Sequence, residues 1–423
     1  MTSSVRPRVA AAGAVLLAAI AGLSIAPAGA SAAGGLTLPL GDQNLTETRS
    51  SQTLTDGVSL TRIVRGTEPA PADQINTTTR GPWSIQVLTV DPDEAKGHVK
   101  ATYGPDLART EKTTDLVRGA GALAGVNASF FTFTASQQYP GDPVGLGIFG
   151  GKLLSEPLTD PAETNFVIDA KTSKALIGHL SWTGSLKNKK TEAVLPLEFV
   201  NHPPVVPAAC ATLADQTDCT AAGDVVLFTP EFAASTPAGA GIEVVLDQRG
   251  CVVRTATTRG TALTAGQTSV QATGHDTVAL FQTLAGGCVS TTLAVRDEQG
   301  KKVALRNSLY GVTGRGLLVR DGKVVEQPTG GSFNDRNPRT IAGTTKDGKL
   351  VFVTVDGRQT TSVGTTMAES AALAKALGLH NAMNLDGGGS TAMAVNGALV
   401  NHPAGAERAV GDALVYVDAK YQR

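Results

Sequence analysis

Eight residues near the C-terminus, Asn384-Leu385-Asp386-Gly387-Gly388-Gly389-Ser390-Thr391, place an amide, a carboxylate, three glycines and two hydroxyls in one short loop. Glycine permits positive φ and close backbone approach to a ligand, and successive N–H groups in such a loop can form an anion-binding nest. A tight turn between two strands would use the same glycines. The polar residues on either side favour a site, with Asp386 as its carboxylate and the N–H groups of Gly387, Gly388 and Gly389 as donors. A second acid, Asp356, opens an Asp-Gly turn in Val355-Asp356-Gly357-Arg358. A third, Glu369, follows Thr366 at the spacing of a capping box, which would occupy it structurally.

The elements that must position these groups form a strand–helix–strand pattern. Residues 340–345 and 349–355 read as two strands joined through Asp347-Gly348. A helix follows, with Met367, Ala371, Ala374 and Leu377 at helical spacing and Gly378 at its end. Residues 382–385 read as a strand running into the glycine triplet, and 391–395 as another. Asp356 and Asp386 then lie at strand ends. Upstream, 83–90 alternates as a half-buried strand does, 113–124 suits a short helix, and Gly150-Gly151 turns a hairpin. Further strands are expected at 165–169, 225–228, 242–246 and 278–281. The expected fold is α/β of the α+β kind: a mixed β-sheet core with few helices and a β-rich, disulfide-stapled insertion.

Composition bounds the function. The chain has 423 residues, a formal net charge of −1, 4% aromatic residues and 48 glycines, which suits a turn-rich, strand-rich fold and gives nucleic acid no basic run to bind. Arg6 and Arg8, an almost wholly apolar 9–26 and the small residues Ala28-Gly29-Ala30-Ser31-Ala32 read as an export signal. An uncleaved anchor is the alternative, and no later segment is apolar enough to span a bilayer. An oxidising destination makes two disulfides the expectation for Cys210, Cys219, Cys251 and Cys288. Of three pairings, Cys210–Cys219 and Cys251–Cys288 close the local loops. The expected organisation is signal (1–32), N-terminal extension (33–80), main domain (81–199 and 306–423) and β-rich insertion (200–305). No P-loop lysine, Gly-x-Ser-x-Gly elbow or His-Glu-x-x-His motif is present. Clustered acids and carbonyls would suit Ca²⁺, a point on which the sequence is silent.

The chain resembles the phosphodiester glycosidase family. The resemblance rests on Gly125-Val126-Asn127-Ala128-Ser129-Phe130-Phe131, Arg336-Asn337-Pro338-Arg339-Thr340, Val355-Asp356-Gly357-Arg358, residues 362–369, the Asn384–Thr391 stretch, and Asn401-His402-Pro403 with Glu407-Arg408. It covers about 80 to 420 apart from the insertion, and the Asn-Leu-Asp-Gly-Gly-Gly-Ser stretch is its specific part. Together with the export signal, the resemblance implies a secreted or cell-wall-associated hydrolase acting on the glycosidic bond of a sugar-1-phosphodiester, with a glycan or sugar-phosphate as partner; the sequence itself shows no required cofactor. The rivals are a noncatalytic glycan- or phosphate-binding protein and a P–O-cleaving phosphodiesterase. Such a reaction needs a carboxylate at the anomeric carbon and stabilisation of the departing phosphate. Asp386, Asp356 and Glu369 are the candidate acids. Arg339 and Arg408 are the candidate phosphate ligands, joined by the glycine N–H groups and the Ser390 and Thr391 hydroxyls. Asn127, Asn384 and Asn401 are candidates for sugar hydroxyls, or for satisfying buried backbone.

Overall fold

The computed structural model describes residues 37–133, 135–285 and 287–419; the export signal read at 1–32 lies outside them. Three helices are described: α1 (Thr113–Gly119), α2 (Asp276–Leu284) and α3 (Met367–Ala376). Everything else that is regular is strand, apart from short 3₁₀ turns. The largest sheet has eight strands in the order Glu47–Thr55, Val58–Arg65, Trp83–Val90, Leu350–Val355, Arg339–Thr345, Leu379–Asn384, Leu317–Arg320 and Lys323–Val324. Every neighbouring pair in it is antiparallel. Parallel pairing occurs between Phe199–Val200 and Val225–Phe228.

Strand Leu350–Val355 is buried at all six positions. Its β-branched run suits a strand covered on both faces. On one face Leu88, Phe352 and Met383 join Phe166, Val312, Val126 and Leu414 from two five-stranded sheets in the main core. On the other face Ile85, Ile341 and Val353 pack against Met367, Ala371, Leu373 and Ala374 of α3. Each of the larger of these side chains contributes about 1.5–3 kcal/mol of burial. The Thr366 hydroxyl accepts from the Glu369 N–H (3.1 Å), and the Glu369 carboxylate accepts from the Thr366 N–H (2.9 Å), completing the expected capping box.

Two five-stranded sheets flank the core. One runs Ala398–Leu399, Met393–Val395, Ala124–Asn127, Asp412–Val417, His98–Tyr103. The other runs Lys174–Gly178, Glu163–Asp169, Leu309–Arg315, Gly147–Phe149, Lys152–Ser155. The N-terminal hairpin 47–65 extends the main sheet through its pairing with Trp83–Val90.

Both expected disulfides are present, Cys210–Cys219 and Cys251–Cys288. The cysteine-bearing region has its own core, built on Leu186, Val225, Leu227, Val244, Val270, Leu280 and Leu284. Its four-stranded sheet starts at Ser181, ahead of residue 200. The strand expected at 278–281 is instead part of α2. Thr277, Leu280, Thr283 and Leu284 are buried at helical spacing, so a short apolar run belonged to one face of a helix.

This region is tied to the flanking sheet through His202. Its Nδ1 lies 2.9 Å from the Asp142 carboxylate, and its Nε2 lies 3.4 Å from Glu156 and 3.2 Å from the Ser155 hydroxyl. Burial works against the imidazolium, but the two carboxylates prevail and raise His202 to about 9. The histidine is a charged clasp at neutral pH.

Candidate active site

Sheet register brings the candidate residues to one end of the main sheet. Strands Leu350–Val355 and Leu379–Asn384 both run antiparallel to Arg339–Thr345, which lies between them. Their C-terminal ends therefore share an edge with the start of that middle strand, where Arg339 pairs with Val355 and Ile341 with Asn384. Asp356, Asp386 and Arg339 emerge there.

Asp386 is held through its backbone. Its N–H donates to the Ala128 carbonyl (2.9 Å), and its own carbonyl accepts from Asn127 Nδ2 (2.7 Å). The side chain is half-buried and accepts from the Gly387 N–H at 2.9 Å. Burial pushes its carboxyl up to about 6; the Ser390 hydroxyl, the Gly387 N–H and the charge of Arg408 oppose this, and Asp412 adds to it. A carboxyl that changes charge near neutral pH, on a partly open surface, is suited to proton or cation chemistry.

The glycine loop differs from the expected nest. Gly388, Gly389 and Ser390 form a 3₁₀ turn. The Gly387 N–H is given to Asp386 and the Gly388 N–H to the Pro338 carbonyl (2.9 Å). The Ser390 and Thr391 N–H groups close the turn onto Gly387 and Gly388. Only the Gly389 N–H in this loop lacks a partner among the described residues. The glycines serve instead as landing sites for guanidinium groups. A Cβ on Gly388 would come 3.2 Å from Arg358 Nη2, and a Cβ on Gly389 would stand 2.4 Å from Arg408 Nη2. Arg408 lies over the Phe133 ring at 4.6 Å and makes no hydrogen bond or ion pair among the described residues. Arg358 gives Nε and Nη2 to Asn337 Oδ1 (3.1 and 2.7 Å), leaving Nη1 uncommitted among the described residues.

Several expected ligands are committed elsewhere. Arg339 is buried, and gives Nε to the Thr365 carbonyl (3.1 Å) and Nη2 to those of Phe333 and Asp335 (2.7 Å each). Burial, with Arg358 nearby, brings it down to about 10. It pins the 333–335 loop rather than offering a fork to phosphate. Glu369 is occupied by the helix cap and by Arg336 at 2.7 Å. Asn127 is fully buried: Nδ2 holds Asp386, while Oδ1 accepts from the Thr340 hydroxyl (2.7 Å) and the Ala392 N–H (3.1 Å). One Nδ2 hydrogen remains, but on a side chain with no exposed surface to offer a sugar hydroxyl. Asn401 donates to Asp356 Oδ1 (2.9 Å) and the Thr391 carbonyl (3.2 Å) and accepts from the Met393 N–H (2.8 Å). Asn384 donates to the Arg315 carbonyl at 3.2 Å.

Asp356 accepts from Asn401 and from the His402 N–H (3.0 Å) on Oδ1, while its buried Oδ2 has no hydrogen-bond partner among the described residues and lies 3.8 Å from His402 Nδ1. Burial raises its carboxyl against those hydrogen bonds. Asn384 Oδ1, Ser390 Oγ and Thr391 Oγ1 are likewise buried without hydrogen-bond partners among the described residues. Ser390 stays beside the Asp386 carboxyl. Among the described residues, no group of three or more His, Cys, Asp or Glu is placed to hold a metal ion.

Three residues near the site escaped the sequence reading. Arg358 was visible beside Asp356, but an exposed turn arginine carries no distinguishing signal. Asp412 and Ser129 face each other: the Ser129 hydroxyl and N–H donate to the two Asp412 oxygens at 2.6 and 2.7 Å. The available signal was an acid opening a strand, Asp412–Val417, that is buried at all six positions.

Residues 240–417 match the phosphodiester glycosidase family. The match takes in Asp356, Asp386, the glycine loop, Asn401, Arg408 and Asp412, and also Cys251 and Cys288; Asn127 and Ser129 lie outside it. A prophage-derived protein of Bacillus subtilis, the uncharacterized YomE, is 42% identical over 100 residues, a stretch that is 23% of this chain and 16% of that protein. A solved structure of a Burkholderia pseudomallei protein described as exported superposes with a TM-score of 0.76 at 24% identity, covering 90% of this chain and 98% of that one. A hypothetical protein from Synechocystis superposes with a TM-score of 0.65 at 16% identity, over 85% of this chain and 62% of that one. At these identities the structural likenesses establish the fold.

Proposed function

We propose that this protein is an exported hydrolase that cleaves the glycosidic bond of a sugar-1-phosphodiester, releasing the sugar and a phosphate monoester. Phosphate-linked cell-wall or extracellular glycans are the natural substrate class. The observation that carries this reading is Asp386: a half-buried acid raised to about 6, beside an arginine, Arg408, with no partner among the described residues. The family match over the same residues supports it.

In this reading the diester phosphate lies against Arg408, with Arg358 Nη1 and the Gly389 N–H available as further donors. Charge-assisted bonds of this kind stabilise the departing phosphate most as its charge grows. The Asp386 carboxylate faces the anomeric carbon and stabilises positive charge developing on the ring. Water bonds to C1 as the C1–O bond breaks, the bond pair leaves on the phosphate, and the water proton passes through Asp386 to solvent. A phosphate monoester is a weakly basic leaving group and needs little protonation. The reading requires no cofactor.

Incubation of the secreted protein with a panel of sugar-1-phosphodiesters in ¹⁸O-water tests it. Label in the released sugar is the expected result. Label in the phosphate would make the protein a P–O-cleaving phosphodiesterase, and binding without turnover would make it a glycan- or phosphate-binding protein.

A further inference from the structure

We propose that Asp412, gripped by both donors of Ser129, is the second carboxylate of the site and sets the reactivity of Asp386 from behind through its charge. The proposal rests on the reading of Asp386 as the reacting acid. Geometry motivates it first. Ala128 bridges the two aspartates, its N–H donating to the Asp412 carbonyl (3.2 Å) and its carbonyl accepting from the Asp386 N–H (2.9 Å). Strand register places Ala413 opposite Asn127, the residue whose amide holds Asp386.

Asp412 is 1% exposed and has no ion-pair partner among the described residues. Its carboxylate is met by the Ser129 hydroxyl and N–H, and that hydroxyl also accepts from the Thr313 N–H at 3.3 Å. A buried acid with no counter-ion is costly to keep for structure alone, because an apolar pair of the same shape serves as well or better. Burial pushes Asp412 up to about 6 against the Ser129 hydrogen bonds.

The charged groups that act on Asp386 are Arg408, half-buried, and Asp412, fully buried. Their effects oppose each other. Arg408 favours the carboxylate, while Asp412 delays its ionisation and so leaves it more basic once formed. A phosphate bound at Arg408 would withdraw part of the favourable charge, which strengthens the influence of Asp412 in the complex.

The test is a direct titration of the resting full-length protein labelled with ¹³C-aspartate, the Asp386 signal being assigned by its loss in Asp386→Asn. In Asp412→Asn the Asp386 midpoint should fall by about one pH unit. The acid limb of kcat/KM should move by the same amount. Ser129→Ala is the second variant: without the hydroxyl, Asp412 stays protonated to higher pH, and the Asp386 midpoint again falls. An Asp386 midpoint that is unchanged or raised in the folded variants overturns the proposal. If Asp412→Asn does not fold, Ser129→Ala alone decides. The titration is read without substrate, so absence of turnover on sugar-1-phosphodiesters would refute the proposed function while leaving this result standing.

Discussion

Glu243 and Asp386 are acids wholly and partly withdrawn from solvent, respectively, and they have opposite surroundings. Glu243, fully buried in the cysteine-bearing region, accepts five hydrogen bonds. They come from the Thr236, Ser269 and Thr261 hydroxyls (2.6, 2.6 and 2.7 Å), the Gly260 N–H (2.9 Å) and Gln271 Nε2 (3.3 Å). Burial opposes its charge, yet the hydrogen bonds from Ser269, Thr236, Thr261 and Gln271 win and hold the carboxyl below its ordinary value. Asp386 has the Gly387 N–H and Ser390, a cation on one side and a buried acid on the other, and is raised to about 6. A saturated carboxylate is locked in one state and organises the loops around it. An under-coordinated one keeps its capacity to bond, and near neutral pH it can exist in either state.

Four measurements can break this contrast. The largest effect is expected from Asp386→Asn, which should lower kcat for a sugar-1-phosphodiester by about 10³-fold while leaving the near-ultraviolet dichroism of the fold intact. Unchanged turnover would move the reacting acid elsewhere, with Asp356 next. Glu243→Ala should have the reverse signature: about 2–4 kcal/mol lost in urea unfolding, because five donors lose their acceptor, with kcat retained in the folded fraction. Arg408→Ala should raise KM for the diester by about 10–100-fold, and Arg408→Lys should recover little of that, since an ammonium cannot fork a phosphate. An equal KM increase for a neutral glycoside would show that Arg408 acts only by shaping the pocket.

The smallest effect concerns stability. In the unfolded chain Asp386 ionises near its ordinary value of about 3.9, and in the folded chain near 6. A raised carboxyl penalises folding fully above the folded value and not at all below the unfolded one. Asp386→Asn should therefore stabilise the protein at pH 7 by about 1–2 kcal/mol, and the gain should fade as pH falls from 6 to 4. Thermal melts across that range measure it, and a gain that is flat with pH would deny the shift.

What could be read from the sequence was what local chemistry decides. The Thr366–Glu369 cap, the strand pair around Asp347-Gly348 and the two short-loop disulfides depend on neighbours in the chain, and each is present. The placement of Asp356 and Asp386 at one sheet edge followed from two strand ends flanking a helix. The misreadings have a common physical origin in distant partners. Asn127 is consumed by groups more than 200 residues away, and Arg339 by carbonyls of a loop that no pattern marks. The glycines looked like a nest because their composition allows one; two arginines arriving from other loops decided their use. Residues 278–281 offered too short an apolar run for periodicity to separate strand from helix.

The His202 clasp carries a lesson about proximity. Ser155 Oγ, the His202 imidazole and the Asp142 carboxylate are spaced at 3.2 and 2.9 Å, the distances of a nucleophilic serine triad. What is missing is a vacant lone pair. The imidazole already carries its second proton, so it cannot take the one on Ser155, and that hydroxyl is sealed from solvent and spends its hydrogen on the Gly145 carbonyl. The same three side chains would make a base and nucleophile around a neutral ring with an open mouth. Here the proton inventory turns them into a rivet.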